Sequence, residues 1–386
     1  MTKCPRCFTT VDPTNFVWMC VSGRCESTPD PAASAYTGGP VSNGPILQLR
    51  QPGNAKKGWQ PPSGAACPTC NEVTPEVCSE CHYLYPEGWR QAQATCVAMA
   101  GARATGKSLY IAVVVKQLEQ LAERLGSSFD YSTIATQSNY QNYYEKPLFE
   151  ERGLMPATNK ADMEGSYQRE PLIFGMGMWN GVRRYLVIRD VAGEDLESNT
   201  VAAVHLNFFA HADGVFFMFD PLKVQEVKDQ LQDLIPSQQR IGGEPKTVLS
   251  HLLMKIGNGN PKLAIILSKF DALQALRKVD GTEWGQIMSN PGAAFLRDPS
   301  MNGERYDEND GQLLHHEARS LLLKLHSGPL VAAVENRGDG NTVPVRFFTV
   351  SALGDSPIGE NVHSRGIAPF RCVDPIRWVL AEHGVF

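Results

Sequence analysis

Apolar positions along the chain fall into short continuous runs rather than alternating ones. "ATCVAMA", "PLIFGMGMW", "RRYLVIRDVAG", "DGVFFMFD", "KLAIILSKFD" and "VPVRFFTVSAL" each read as a buried strand. The intervening stretches carry helical periodicity, clearest in "KSLYIAVVVKQLEQLAERL" and "DPLKVQEVKDQLQDLI", with "NFFAHA" as part of another helix. The stretch "NYQNYYEKPLFEERG" predicts an added helix, and "MSNPGAAFLRDPSMNGERYDENDGQ" a polar, irregular insertion. Buried strands separated by helices predict an α/β fold: a mostly parallel sheet with helices on both faces. Ligands of such sheets sit at the carboxyl ends of the strands, and the polar signatures of this chain fall there.

The first signature is G-x-x-x-x-G-K-S, from Gly101 to Ser108. Small residues let successive backbone N–H groups curl around an anion, and the following helix points its positive end at it. Gly101, Ala104, Thr105 and Gly106 would line the phosphates, Lys107 would reach the outer ones, and the Ser108 hydroxyl would bind magnesium. The second is "IRDVAGED", with Asp190 at a strand end and Gly193 three residues later. An aspartate there steadies magnesium, and the glycine lets a backbone N–H approach the terminal phosphate. "ILSKFD", with Lys269 and Asp271, and "TVSAL", with Ser351, Ala352 and Leu353, follow two further strands.

The front of the chain is different. Eight of the ten cysteines lie in the first 81 residues, as the pairs Cys4/Cys7, Cys20/Cys25, Cys67/Cys70 and Cys78/Cys81. A C-x-x-C knuckle puts two thiolates on one turn, and two such turns complete a sulfur cage for zinc. Two zinc sites are expected; spacing leaves open whether the quartets close in sequence order or interleave. His82 is a possible substitute ligand, and Cys96 and Cys372 read as packed thiols. The Pro-, Gly- and Ser-rich residues from about 26 to 66 read as a flexible linker, in which "ILQL" could pair as a strand and Trp59 dock on a ribbon. This divides the chain into a cysteine-rich zinc-binding region, 1–90, and a phosphate-binding domain, 91–386.

Charge narrows the partners. The net charge is −5, and residues 1 to 93 hold seven basic and seven acidic side chains, so no basic excess is available for nucleic acid. A protein partner for the zinc region is the better reading. No signal peptide follows "MTKCPRC", and no apolar run is long enough to cross a bilayer, so the cytoplasm is expected.

The phosphate loop, D-x-x-G, a variant of N-K-x-D and S-A-x occur in the order and strand positions of Ras-like P-loop GTPases, which residues 94 to 386 resemble. With the cysteine-rich front, "DVAGEDLE" and "VDPIRWVL", the chain more particularly resembles the bacterial double-GTPase 2 group, associated with predicted conflict systems. The resemblance implies a molecular switch that binds GTP and GDP and hydrolyses GTP with magnesium. Asp271 would accept from the guanine ring, Lys269 would lie along the base, and the Ala352 N–H would meet the guanine carbonyl. It also implies a switch threonine whose hydroxyl binds magnesium only with triphosphate present, for which Thr158 is the choice over Thr133 and Thr136. Two positions depart from the family. Ser268 replaces an asparagine that ties base to phosphate loop, and Glu194 replaces the glutamine that orients attacking water. Glu194 leaves open a module that senses GTP with little turnover; Ser268 leaves open ATP. A zinc-ribbon nucleic-acid protein regulated by nucleotide is the third reading. Arg183, Arg184 and Arg189 are candidates for an internal arginine finger, with surface or packing roles favoured.

Overall fold

The computed structural model describes residues 2–56, 59, 61–62, 64–153, 170–197, 204–224, 243–278, 283–335, 343–354 and 366–385. The cysteine-rich part contains β1 (Asn15–Met19), β2 (Thr28–Pro29), α1 (Pro31–Thr37), β3 (Ser42–Asn43), β4 (Ile46–Arg50), β5 (Ala65–Ala66), β6 (Val73–Thr74) and β7 (Glu76–Val77). β1 lies between β4 and β7 in an antiparallel sheet. "ILQL" is therefore a strand, and Trp59 packs edge-on against Phe16 at 5.5 Å.

The stretch expected to be a flexible linker carries β2, α1, β3 and β4 instead. Composition misled because one buried carboxylate organises it. Asp30 caps α1 by accepting from the Ala33 N–H, and its other oxygen meets Asn43 and His82 at 2.7 Å each.

The large sheet begins with β8 (Gln93–Ala100), followed by α2 (Lys107–Arg124), β9 (Asp130–Tyr131), α3 (Ile134–Tyr140) and a wide-turned π-helix, Gln141–Glu150. A hairpin of β10 (Leu172–Trp179) and β11 (Val182–Arg189) comes next, then α4 (Gly193–Glu197), α5 (Phe208–His211) and β12 (Gly214–Phe219). The remainder is α6 (Pro245–Ile256), β13 (Lys262–Leu267), α7 (Phe270–Gln274), α8 (Glu283–Ile287), α9 (Glu308–Lys324), α10 (Gly328–Glu335), β14 (Val345–Thr349) and α11 (Asp374–Glu382). The strand order is β14-β13-β12-β8-β11-β10-β9. The five strands from β14 to β11 are mutually parallel, and β10 and β9 continue antiparallel. This is the mostly parallel α/β sheet, flanked by helices, that the runs of apolar residues predict. The strands are buried along nearly their whole length, which is why they read as runs and not as alternation. The helix expected over 220–235 lies outside the described residues from 225 onward.

Two features tie the outer parts to this sheet. Cys4, Cys7, Cys78 and Cys81 belong to the same apolar core as β8, β11 and β12, so the first part of the cysteine-rich region is fused to the domain behind it. The polar insertion is anchored from beneath. Arg377 donates to the carbonyls of Ser300 and Asn302, and the fully buried Arg371 bonds Arg297 O, Ala294 O, Asp374 and Asp310. The closing "RCVDPIRWVL" thus has a packing role. Among the described residues no helix is long and apolar enough to cross a membrane.

Candidate nucleotide and metal sites

β8 pairs in parallel with β11 on one side and β12 on the other, so the loop after Ala100 opens at the middle of the sheet edge. Its backbone takes conformations few residues adopt: φ is +141° at Gly101, +58° at Ala104 and +91° at Gly106. A Cβ on Gly101 would lie 2.1 Å from Met218 O, so only glycine fits against β12. Lys107, at the first turn of α2, folds back over the loop; its Nζ donates to Gly101 O at 2.8 Å and Ala102 O at 3.0 Å. It is 6% exposed, and burial lowers its pKa against the pull of Asp190. Thr105 closes the turn by donating to Ala102 O at 3.0 Å.

Asp190, at the end of β11, faces this loop. Its Oδ2 accepts from Ser108 Oγ at 3.2 Å and from the Tyr144 hydroxyl at 3.3 Å. Its Oδ1 is buried with no hydrogen-bond partner among the described residues, and burial raises the carboxyl's pKa. A bare buried carboxylate oxygen beside a serine hydroxyl at a helix N-terminus suits an oxygen-seeking cation such as magnesium. Tyr144 comes from the π-helix, and no sequence signal pointed to it.

Gly193 presses directly on the loop: a Cβ there would lie 2.3 Å from Arg103 N. Glu194 receives Arg103 Nη1 at 2.9 Å. Thr158 lies outside the described residues. The hydroxyls of its competitors have other duties, since Thr133 caps α3 and Thr136 accepts from the Ile173 N–H at 3.0 Å.

On the far side of the loop, Asp271 and Ser351 meet. Ser351 Oγ donates to Asp271 Oδ1 at 2.6 Å and accepts from the Gly354 N–H at 2.9 Å. Ala352 follows in the same turn, half-buried. Lys269 adopts left-handed backbone, φ +51°, and pairs with the buried Asp220 at 3.1 Å. Asp220 directly follows β12, a position the sequence reading left without a role. The Ser268 hydroxyl donates to Phe219 O at 2.8 Å, so it bonds the neighbouring strand where asparagine would be expected to reach the phosphate loop.

The cysteines form two quartets, Cys4/Cys7/Cys78/Cys81 and Cys20/Cys25/Cys67/Cys70. The pairs are nested: first with fourth, second with third. Sulfur separations of 3.5 Å (Cys4–Cys81), 3.7 Å (Cys7–Cys78), 3.8 Å (Cys20–Cys25) and 3.6 Å (Cys20–Cys70, Cys25–Cys67) run between these thiols. Sulfurs about 2.3 Å from a tetrahedral zinc lie about 3.8 Å apart, so both cages fit that ion. All ten cysteines are free thiols. The three C-x-x-C turns share one geometry, in which the residue after the second cysteine is left-handed (Phe8, Asn71, His82) and donates its N–H to the first cysteine's carbonyl. That turn explains why His82 is not a ligand. Its ring points to Asp30 instead.

The first cage abuts the phosphate-loop side of the sheet. Arg189, next to Asp190, donates to Arg6 O at 2.6 Å inside the Cys4–Cys7 turn and lies 3.9 Å from the Phe208 ring. Burial and the nearby Arg6 lower its pKa to about 10. Arg184 bonds Gln93, and Arg183 is exposed. Arg189 and Arg184 therefore serve packing.

No protein-family model matches the chain. Solved structures with partial similarity include bacterial selenocysteine-specific elongation factor EF-Sec (14% identity, 67% of this chain and 25% of that one, TM-score 0.25). Others are the Saccharomyces cerevisiae Ski7 GTPase-like domain bound to GTP (12%, 75% and 50%, 0.32) and the Trypanosoma brucei Arl6 BBS3 small GTPase (11%, 76% and 98%, 0.26). The chain thus spans a quarter of the first and half of the second, and the scores are weak. A Mycolicibacterium smegmatis protein provisionally named an ESX-1 scaffolding and assembly protein, SaeC, is 54% identical over 388 residues, covering 100% of both chains. Over that length and identity the relation is unambiguous: the chain belongs to the SaeC family.

Proposed function

We propose that this protein is a guanine-nucleotide switch that binds GTP and GDP with magnesium and hydrolyses GTP slowly to GDP and phosphate. The observation that carries the reading is the convergence of three groups at one sheet edge: the Lys107 loop after β8, the Asp190 carboxylate with its bare Oδ1 after β11, and the Asp271–Ser351 pair after β13 and β14. Lys107 would neutralise the outer phosphates, Ser108 and Asp190 would hold magnesium, and Asp271 would select guanine. Magnesium, when bound, offsets the charge of the outer phosphates. The Gly193 N–H and Thr158 would report the terminal phosphate. Zinc in the two cages would brace the front of the chain as a surface for a protein partner. The name of the M. smegmatis relative favours a role in ESX-1 scaffolding and assembly over a conflict system. Calorimetry with GTP and ATP in magnesium tests the reading; equal or preferential binding of ATP would overturn it.

A second reading has its own support. Glu194 stands in place of a glutamine and is engaged by Arg103 at 2.9 Å. A module that binds GTP with almost no turnover would look the same, and phosphate release by wild type separates the two.

A further inference from the structure

Arg103 occupies one of the unspecified positions of the phosphate-loop pattern, yet its backbone N–H and carbonyl, its Nε and its Nη1 are all engaged. Its backbone N–H donates to Glu197 Oε1 at 2.9 Å. Its guanidinium meets Glu197 Oε2 at 3.2 Å through Nε and Glu194 Oε1 at 2.9 Å through Nη1. Its carbonyl accepts from Lys223 Nζ at 3.2 Å. Glu197 Oε1 also accepts from the Gly243 N–H at 2.9 Å, just ahead of α6. Burial works against the charge on Glu197, but the two amides and the guanidinium outweigh it and leave its pKa below the ordinary value.

Two glycines let this arrangement close. A Cβ on Gly193 would strike the Arg103 amide at 2.3 Å, and one on Gly243 would come within 2.9 Å of the Glu197 side chain. α4 is thereby drawn onto the phosphate loop by a carboxylate that bonds backbone on both sides.

Resting on the GTP reading above, we propose that Arg103 is a positioning residue: it clamps Glu194 and Glu197 to the phosphate loop and so withholds Glu194 from attacking water, which sets a low rate of GTP hydrolysis. Glu197 is the fixed end of the clamp, being mostly buried and bonded to two amides. The Arg103–Glu194 pair is the releasable end, since its side chains are 48% and 29% exposed. An exposed pair is weak, so its release should change the rate modestly. A partner that draws Arg103 away would raise turnover without supplying a residue of its own.

The test uses the full chain. Binding of a fluorescent GTP analogue to wild type is measured first; no binding would defeat the GTP reading and this proposal together. With binding present, Arg103→Ala should raise kcat by about two- to fivefold, with a smaller change in KM. Arg103→Lys, which keeps a charge, should stay near wild type. The rise should vanish in Arg103→Ala combined with Glu194→Ala. Hydrogen exchange at residues 193–197 should quicken in Arg103→Ala. A kcat equal to or below wild type in Arg103→Ala, or a rise that survives removal of Glu194, overturns the proposal while leaving the GTP reading intact.

Discussion

Ser351 Oγ donates to Asp271 Oδ1 across 2.6 Å, joining the turn after β14 to the turn after β13. The bond fixes one carboxylate oxygen, and with it the plane of the group, against the turn after β14. Guanine offers a ring N–H and an amino group on one edge, and an ionised carboxylate only accepts, so the two match. In Asp271→Asn the amide can donate, which suits the carbonyl of xanthine. GTP affinity should fall about tenfold or more, on the order of 1.4 kcal/mol, while XTP affinity rises. Competition binding checks this, and an unchanged preference for GTP would remove Asp271 as the base reader.

Lys107→Ala should weaken GTP and GDP binding at least about tenfold without unfolding the sheet. The ammonium bridges Gly101 O and Ala102 O, so its loss removes both charge and loop closure. Calorimetry gives the affinity and far-ultraviolet dichroism the fold. Equal affinity in variant and wild type would contradict the phosphate-loop assignment.

The two zinc cages should differ in lability. Cys4, Cys7, Cys78 and Cys81 are buried in the core shared with the main sheet, whereas Cys25 and Cys70 are half-buried. A chelator should therefore draw two zinc ions per chain in two phases. Cys67→Ser should abolish the fast phase and leave the domain of the large sheet folded. Cys78→Ser should abolish the slow phase and lower the melting temperature of the whole protein. Metal analysis finding no zinc, or one kinetic phase for two ions, would refute this.

Arg371 is fully buried between Asp374 and Asp310, with two further carbonyls on its guanidinium. Arg371→Met leaves those carboxylates without their cation, a change that costs about 3–5 kcal/mol. Denaturant titration should show a loss of that order; a loss below about 1 kcal/mol would mean the network is solvated.

Burial raises the Asp374 carboxyl to about 6, even beside Arg371. An unfolded aspartate titrates at about 3.9, so the folded chain holds this proton more tightly. The resulting stabilisation is full below the unfolded pKa and is lost as pH rises through about 6. Wild type should gain stability relative to Asp374→Asn as pH falls from about 7 to about 4. Urea titrations across that window check it, and a difference independent of pH would count against it.

Nearest-neighbour chemistry was legible in the chain. Runs of apolar residues announce β8, β11, β12, β13 and β14 because strands buried on both faces have no polar side to alternate with. The loop from Gly101 to Ser108 and the C-x-x-C turns are legible for the same reason, since the bonds that shape them span six residues or fewer. Pairings across long separations were not. Cys20 meets Cys70 across 50 positions and Cys4 meets Cys81 across 77, an order that the return of β4 and β7 beside β1 decides. Asp30 makes a helix in a stretch whose composition suggested a linker, because its partners Asn43 and His82 are brought to it by packing. Asp220 beside Lys269, Tyr144 on Asp190 and Glu197 on Arg103 belong to this class too. A local pattern records what a residue can do with its neighbours along the chain; which distant residue it meets depends on how sheet and helices close, and here only the tertiary structure decided that.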